Sequence, residues 1–450
     1  MEEDNRVFAK ELAKIESKLV HTLSLGSLSL NSSDESVLRW ALSLARVSKV
    51  QGEKLIEIGH ASDAYRTRLY ELFKTLPSLG PELQQLTPKI YQLVLEEQKE
   101  LLALFGTRLK AKALEQAIAK RPFALALAGG GGTAFIYAGA FQELEEAGII
   151  PDAIAGSSMG ALLGLYRAKQ KHFDVEDFKR VASPLIWSRI TQSSEQGSRF
   201  GLPASFRLNL HDIFAPEFQN NGRTLYLNEL AIPFRVAVGG IADDDLDAIP
   251  STDWLQKPDI HLAELRKREQ SVIAGLLQLT QKPIKPIYLG EDKLTREFDV
   301  LDAVGFSSAV PGIFHYDVLR HDSHMVPILR ELMHQHGVTR LIDGGLVDNL
   351  PAVCVKRCLI DPFVLSLDAF SPNWKRHWLF LPLMHIAAEN SKQGYAASDL
   401  TIAYQHVLSP INVVPSPKQL VRAIDNGIKE TKPHVAFIKS MLKPLRNPFA

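Results

Sequence analysis

Gly156-Ser157-Ser158-Met159-Gly160 places a serine between two glycines, directly after the apolar Ala153-Ile154-Ala155 and before Ala161-Leu162-Leu163. A G-x-S-x-G at a strand-to-helix junction forces a sharp, strained turn, and glycine on either side leaves the room that turn needs. The serine oxygen then stands clear of the backbone, and the helix start behind it favours developing negative charge. That is the geometry of a nucleophile for acyl transfer. By itself the pentapeptide fits an inert packing turn equally well.

Two further motifs extend the reading. Gly129 to Gly132 form an unbroken glycine run, and Ser158 lies 26 residues beyond its end. Consecutive glycines let amide N–H groups converge on an anion, which in acyl transfer is the tetrahedral oxyanion. The same run also fits a dinucleotide fingerprint, Gly129-x-Gly131-x-x-Ala134, with Asp152 at the distance of a ribose-binding acid. That alternative places the acid at the start of its strand, where a ribose acid does not belong, and leaves the following G-x-S-x-G without a reason. Further on, Asp343-Gly344-Gly345 closes the apolar pair Leu341-Ile342. A carboxylate at an uncrowded strand end could take the proton of Ser158, although Asp-Gly also commonly caps turns. His377, His385, His406 and His434 follow Asp343, where a Ser-His-Asp hydrolase carries its base, but none follows a strand-end glycine turn. His315, His321, His324, His334 and His336 match no compact ligand spacing and read as scattered surface residues; no metal is expected. Asp243, Asp244, Asp245 and Asp247 lack the glycine and final glutamate of a calcium loop.

The elements around these motifs follow from periodicity. Residues 123–128 (FALALA) read as a buried strand, followed by the glycine run and a helix stopping at Gly148. Residues 151–156 give a second strand, and 159–169 a second helix. Residues 234–239 and 363–367 add strands, so the pattern is that of an α/β sheet. Residues 191–222 read as a long surface loop. Residues 262–279 read as an inserted amphipathic helix, with Leu262, Leu265, Val272, Leu276 and Leu279 apolar and Arg266, Lys267 and Arg268 basic; an interfacial membrane helix is the minority reading. Ahead of the sheet, Phe8, Leu12, Ile15 and Leu19 mark one helix. Ser32 and Glu35 suggest a capping box for a helix over 34–58, buried along Val37, Leu38, Ala41, Leu44 and Ala45. Helices over 65–76 and 88–120 complete a bundle, the last with Leu95, Leu102, Phe105, Leu109 and Ala113 on its apolar side. A basic tail follows Ser416. The expected domains are 1–120 (helical), 121–410 (catalytic-type α/β core with insertions at about 191–222 and 242–282) and 411–450 (basic helical extension).

Composition excludes several classes. Charged residues are 23% and hydrophobic residues 46%, so wholesale disorder is ruled out. Lys plus Arg and Asp plus Glu both number 51, which gives no reason to expect a nucleic-acid partner. Cys354 and Cys358 are too few for a disulfide framework and read as two reduced core thiols. The start, MEEDNRVF, lacks the apolar run of a secretory signal, and no segment is long enough to span a bilayer. The expectation is a cytoplasmic protein that meets membranes, if at all, peripherally.

Three motifs in this order resemble the patatin-like phospholipase family. Residues 125–165 resemble its opening block. Phe306-Ser307-Ser308-Ala309-Val310-Pro311-Gly312-Ile313-Phe314 is similar to its A-S-x-A-x-P-x-x-F block, with Phe306 for the usual alanine, and residues 343–351 are similar to its aspartate block. The resemblance covers about 123–367. It implies a three-layer α/β core with a mostly parallel sheet, a Ser–Asp dyad of Ser158 and Asp343, and an oxyanion hole from Gly130, Gly131 and Gly132. Gly129, Gly156, Gly160, Gly344 and Gly345 would support the turns. It further implies hydrolysis of phospholipid or other acyl-lipid esters with no cofactor. Thr133 and Ala134 depart from the family's Arg or Lys followed by Gly. Acyl transfer from the same acyl-enzyme, or a silent lipid- or nucleotide-binding role for the glycine turn, are the alternatives. Oligomeric state is not read from the sequence.

Overall fold

The computed structural model describes residues 2–76, 78–193, 199–202, 204–242, 284–370 and 381–449. The chain divides into two compact units. The first comprises Met1–Phe123 with Leu359–Phe363 and His434–Ala450, and the second Ala124–Cys358 with Val364–Pro433.

The first unit is a helical assembly of α1 (Glu2–Ser24), α2 (Ser32–Arg46), α3 (Asp63–Lys74), α4 (Leu83–Phe105) and α5 (Ala111–Ala119) around Leu12, Leu19, Leu38, Trp40, Leu69 and Ile90. The expected stripe of α2 is buried as read, but Asn31 caps the helix by accepting the Asp34 amide, so Ser32 and Glu35 form no box. The helix also stops at Arg46 instead of reaching residue 58. Beyond it, β1 (Lys49–Gln51) and β2 (Leu55–Glu57) form an antiparallel hairpin. Arg66 from α3 donates to the carbonyls of Ala45 and Val47, satisfying the freed end of α2. The helix expected over 88–120 is likewise two: Gly106, at φ +54°, ends α4, and α5 starts afresh. Its buried face is Leu86, Ile90, Leu93, Val94 and Leu101, whereas Leu95 and Leu102 are half-buried.

The second unit is mixed α/β with a central, mostly parallel sheet. Its strands are β3 (Phe123–Leu127), β4 (Ala153–Ser157), β9 (Phe234–Ile241), β10 (Lys285–Leu289), β12 (Arg340–Asp343), β13 (Phe363–Asp368) and β14 (Leu400–Ala403), numbered with five short ones given below. The order is β10-β9-β4-β3-β13-β14, with β12 also on β9. β3 with β4, β4 with β9, and β13 with β14 are parallel; β10 and β12 run antiparallel to β9. The inner strands are buried on both faces, which is why they read as continuous apolar runs. Helix α6 (Tyr137–Glu146) follows β3 through a 3₁₀ turn, and α7 (Met159–Ala168) follows β4 directly.

Residues 191–222 are not one long surface loop. β5 (Thr191–Ser193) and β6 (Ala204–Leu208) join β11 (Gly312–His315) in a small sheet, and β7 (Gln219–Asn220) pairs with β8 (Arg223–Thr224). Phe200, Phe214 and Phe218 are buried, and the Asp317 carboxylate gathers the amides of Arg199, Phe200 and Gly201. These three aromatic side chains are core, not surface. The apolar and basic stretch at 262–279, the aspartates at 243–247 and His377 lie outside the described residues.

Candidate active site

Strand register brings the two sequence-predicted reactive groups together. β10 occupies one edge of β9, opposite residues 236–240, so β4 and β12 share the other edge. β4 runs parallel to β9 and ends with Ser157 opposite Ala237. β12 arrives antiparallel and ends with Asp343 opposite Val238. Two strand ends 186 residues apart in the chain thus lie one register step from each other, one leading straight into Ser158 and the other carrying the Asp343 carboxylate.

Ser158 has φ +52° and ψ −130°, a conformation an L-residue adopts only under constraint. The glycines beside it serve space. A Cβ at Gly156 would stand 2.7 Å from Ala161 Cα, and one at Gly160 would stand 2.4 Å from Ala128 O. Any side chain would push α7 off β4 and β3. Ser158 donates its amide to Ser307 Oγ at 2.9 Å, and Ser307 donates to Ala237 O at 2.6 Å.

Asp343 is 5% exposed. Its Oδ1 accepts the Gly345 amide at 2.7 Å, while Oδ2 has no hydrogen-bond partner among the described residues. Burial pushes the carboxyl from 3.8 up to about 7, against the pull of the Ser158 hydroxyl and the Gly345 amide toward the charged form. Ser158 is thus close enough to bias the carboxylate without closing an aligned hydrogen bond to it. Such looseness is common before substrate arrives.

The glycine run lies against this pair. A Cβ on Gly129 would stand 3.0 Å from Ser158 Cβ. Gly131 has φ +59°, and the amides of Gly130 and Gly131 donate to no described backbone carbonyl. The Gly132 amide does: it is bound to Pro410 O at 2.8 Å. The three amides expected to act together are therefore not equivalent. Thr133 turns its Oγ1 back onto Gly130 O at 2.9 Å, bracing the turn, and Ala134 sits in the 3₁₀ segment without a positive φ. Neither departure distorts the backbone.

Asn349 was not singled out from sequence. Its carbonyl accepts the Gly129 amide at 3.1 Å, and its Oδ1 lies where a Cβ on Gly129 (2.7 Å) or Gly345 (3.0 Å) would point. It wedges the glycine turn against the aspartate turn. The neighbouring Asp348 accepts from Tyr288 at 2.7 Å and is pushed up to about 6 by burial.

The histidines distribute differently from their sequence reading. His315 is 1% exposed, so it is not a surface residue, and burial pushes it down. His406 pairs with Glu430, and His434 belongs to the first unit. The side chain of His385 is not described. His211, Asp299 and Asp302 converge within 4.8 Å, a cluster without a sequence signal. Arg320 forks Asp302 at 2.8 and 2.6 Å, and Tyr316 donates to it at 2.6 Å. Burial raises Asp302, yet the hydrogen bonds from His211 and Arg320 bring it down to about 2. The guanidinium supplies the positive charge a metal would bring, so the cluster is an ion-pair network. Asp152 is exposed and precedes β4, at the opposite end of the parallel strands from the glycine turn, where no ribose acid could serve that turn.

The patatin-like phospholipase family matches residues 125–353, just over half of the chain, and the chain belongs to that family. By structure it is similar to VipD from Legionella pneumophila, at 15% identity over 70% of this chain and 67% of that one, with a TM-score of 0.36; a likeness this weak carries no argument. No curated protein matches the chain in sequence.

Proposed function

We propose that this protein is an acyl-lipid hydrolase of the phospholipase or lysophospholipase type, working through Ser158 and Asp343. The observation that carries the reading is the meeting of β4 and β12 on one edge of β9, which sets a strained serine beside a buried carboxylate with a free oxygen. Ser158 Oγ attacks the acyl carbonyl while its proton passes to Asp343 Oδ2. The Gly130 and Gly131 amides hold the oxyanion; Gly132 joins them only if its bond to Pro410 opens. Collapse breaks the ester bond, and the departing alkoxide takes the proton back from Asp343. Water then attacks the acyl-serine with Asp343 again accepting a proton; the acyl–serine bond breaks, Ser158 Oγ takes that proton back, and the fatty acid leaves. No step calls on a cofactor or metal. An alcohol or lysolipid in place of that water would make the same intermediate a transferase.

No helix among the described residues is long and apolar enough to cross a membrane, so we take contact with a lipid surface to be peripheral. A fluorophosphonate probe should label wild type at Ser158 and leave Ser158→Ala unlabelled, with the site read by peptide mass spectrometry. Absence of label on folded wild type would favour a silent binding role instead.

A further inference from the structure

We propose that Ser307 is a positioning residue that locks the nucleophile turn, and that residues 307–309 splint Ser158 to Asp343. The proposal rests on the hydrolase reading above. The Ser307 side chain is 0% exposed, and its hydroxyl both accepts and donates: it takes the Ser158 amide at 2.9 Å and donates to Ala237 O at 2.6 Å. The first bond fixes the peptide entering the one strained residue of the turn. The second anchors that peptide to β9 at Ala237, the register partner of Ser157 and neighbour of the residue opposite Asp343. Two residues on, Ala309 O accepts the Asp343 amide at 3.0 Å. One short stretch therefore bonds to the backbone of both reactive residues, each through an N–H.

The splint has a fixed root. Ser307 ends the helix Val300–Ser307, whose first turn is capped by Asp299 Oδ1 on the Leu301 and Asp302 amides. Asp302, at 0% exposure, is clamped by Arg320, Tyr316 and His211. The ion-pair network thus has a use: it holds the helix that holds the nucleophile turn. A consequence follows for the oxyanion. With its own N–H taken by Ser307, Ser158 contributes no donor, and the oxyanion falls to other amides, those of Gly130 and Gly131 among them.

The test compares wild type, Ser158→Ala, Ser307→Ala, Ser307→Cys and Ser307→Thr on a soluble p-nitrophenyl ester, each normalised to folded protein by circular dichroism. Cys keeps the shape but hydrogen-bonds weakly, so it reports even if Ala does not fold; Thr keeps the hydroxyl. A misaligned nucleophile predicts kcat lowered about 10–100-fold in Ala and Cys, KM within about twofold, fluorophosphonate labelling slowed by the same factor, and Thr nearer wild type. Wild-type kcat per folded molecule in Ser307→Cys, with only the melting temperature lowered, would overturn the positioning role and leave the hydrolase reading standing. Folded wild type that neither hydrolyses nor labels would overturn both.

Discussion

A carboxylate with one oxygen unpartnered in the protein interior resists ionisation, and at Asp343 that resistance has two measurable consequences. As a base it must be deprotonated, so kcat/KM should rise with pH through about 7 and level off above, which a pH–rate profile would show. A rise centred near 4 would mean an ordinary solvated carboxylate. Stability runs the other way. Between about pH 4 and 7 the native state keeps a proton that the unfolded chain has released, so native stability falls as pH rises across that window. Asp343→Asn removes the penalty. It should leave stability near that of wild type at pH 4 and raise it by up to about 4 kcal/mol above pH 7, in thermal melts, while abolishing activity. Ser158 and Asp343 were legible in the sequence because each sits inside its own local signature, glycines flanking a strand end. Ser307 and Asn349 lay in plain sight in neighbouring motifs, but their partners are 149 and 220 residues away, and no local spacing encodes that.

Among the elements, the run from β3 through α7 was readable because strand, turn and helix follow one another and each end carries its own glycine. The hairpin of β1 and β2 was not, since strands of three residues are too short to show an alternating pattern. β5 and β6 failed for a different reason: β6 is held by the distant β11 and β5 only by β6, and Ser- and Gly-rich sequence hides both. Two contacts between elements make sharp predictions. The helix Pro417–Leu442 crosses α6 where Gly427 meets Gly139: a Cβ on Gly427 would stand 2.1 Å from Ile136 O, and one on Gly139 would stand 2.0 Å from Ile424 O. Gly427→Ala must spread the helices, and should cost about 1–3 kcal/mol in chemical denaturation. Arg320→Met leaves Asp302 charged and buried without its main partner. It should destabilise the second unit by about 3 kcal/mol or more, with activity falling in step as the helix Val300–Ser307 loosens. A silent Arg320→Met would remove the root from the Ser307 proposal.

The whole chain is threaded so that neither unit is continuous in sequence. The first closes only with residues from the far end: Phe437, Ile438 and Met441 are buried, Leu445 donates to Ala119 O, and the rings of Phe449 and Tyr91 stand 4.6 Å apart. Three buried apolar side chains at about 1.5–3 kcal/mol each exceed what a small helical unit can lose. Truncation after Pro433 should therefore open the N-terminal unit to limited proteolysis, and equal resistance in both forms would refute that closure. This threading was hidden from the sequence, where the basic residues after Ser416 suggested an appended tail. The central claim is ester cleavage by Ser158 with Asp343 as base. The most direct measurement is lipid mass spectrometry of mixed phospholipid and neutral-lipid vesicles incubated with wild type, Ser158→Ala and Asp343→Ala. The account predicts free fatty acid and the matching lyso-product from wild type, and from neither variant. Equal release by wild type and Ser158→Ala, or none from folded wild type with detergent present, would contradict it.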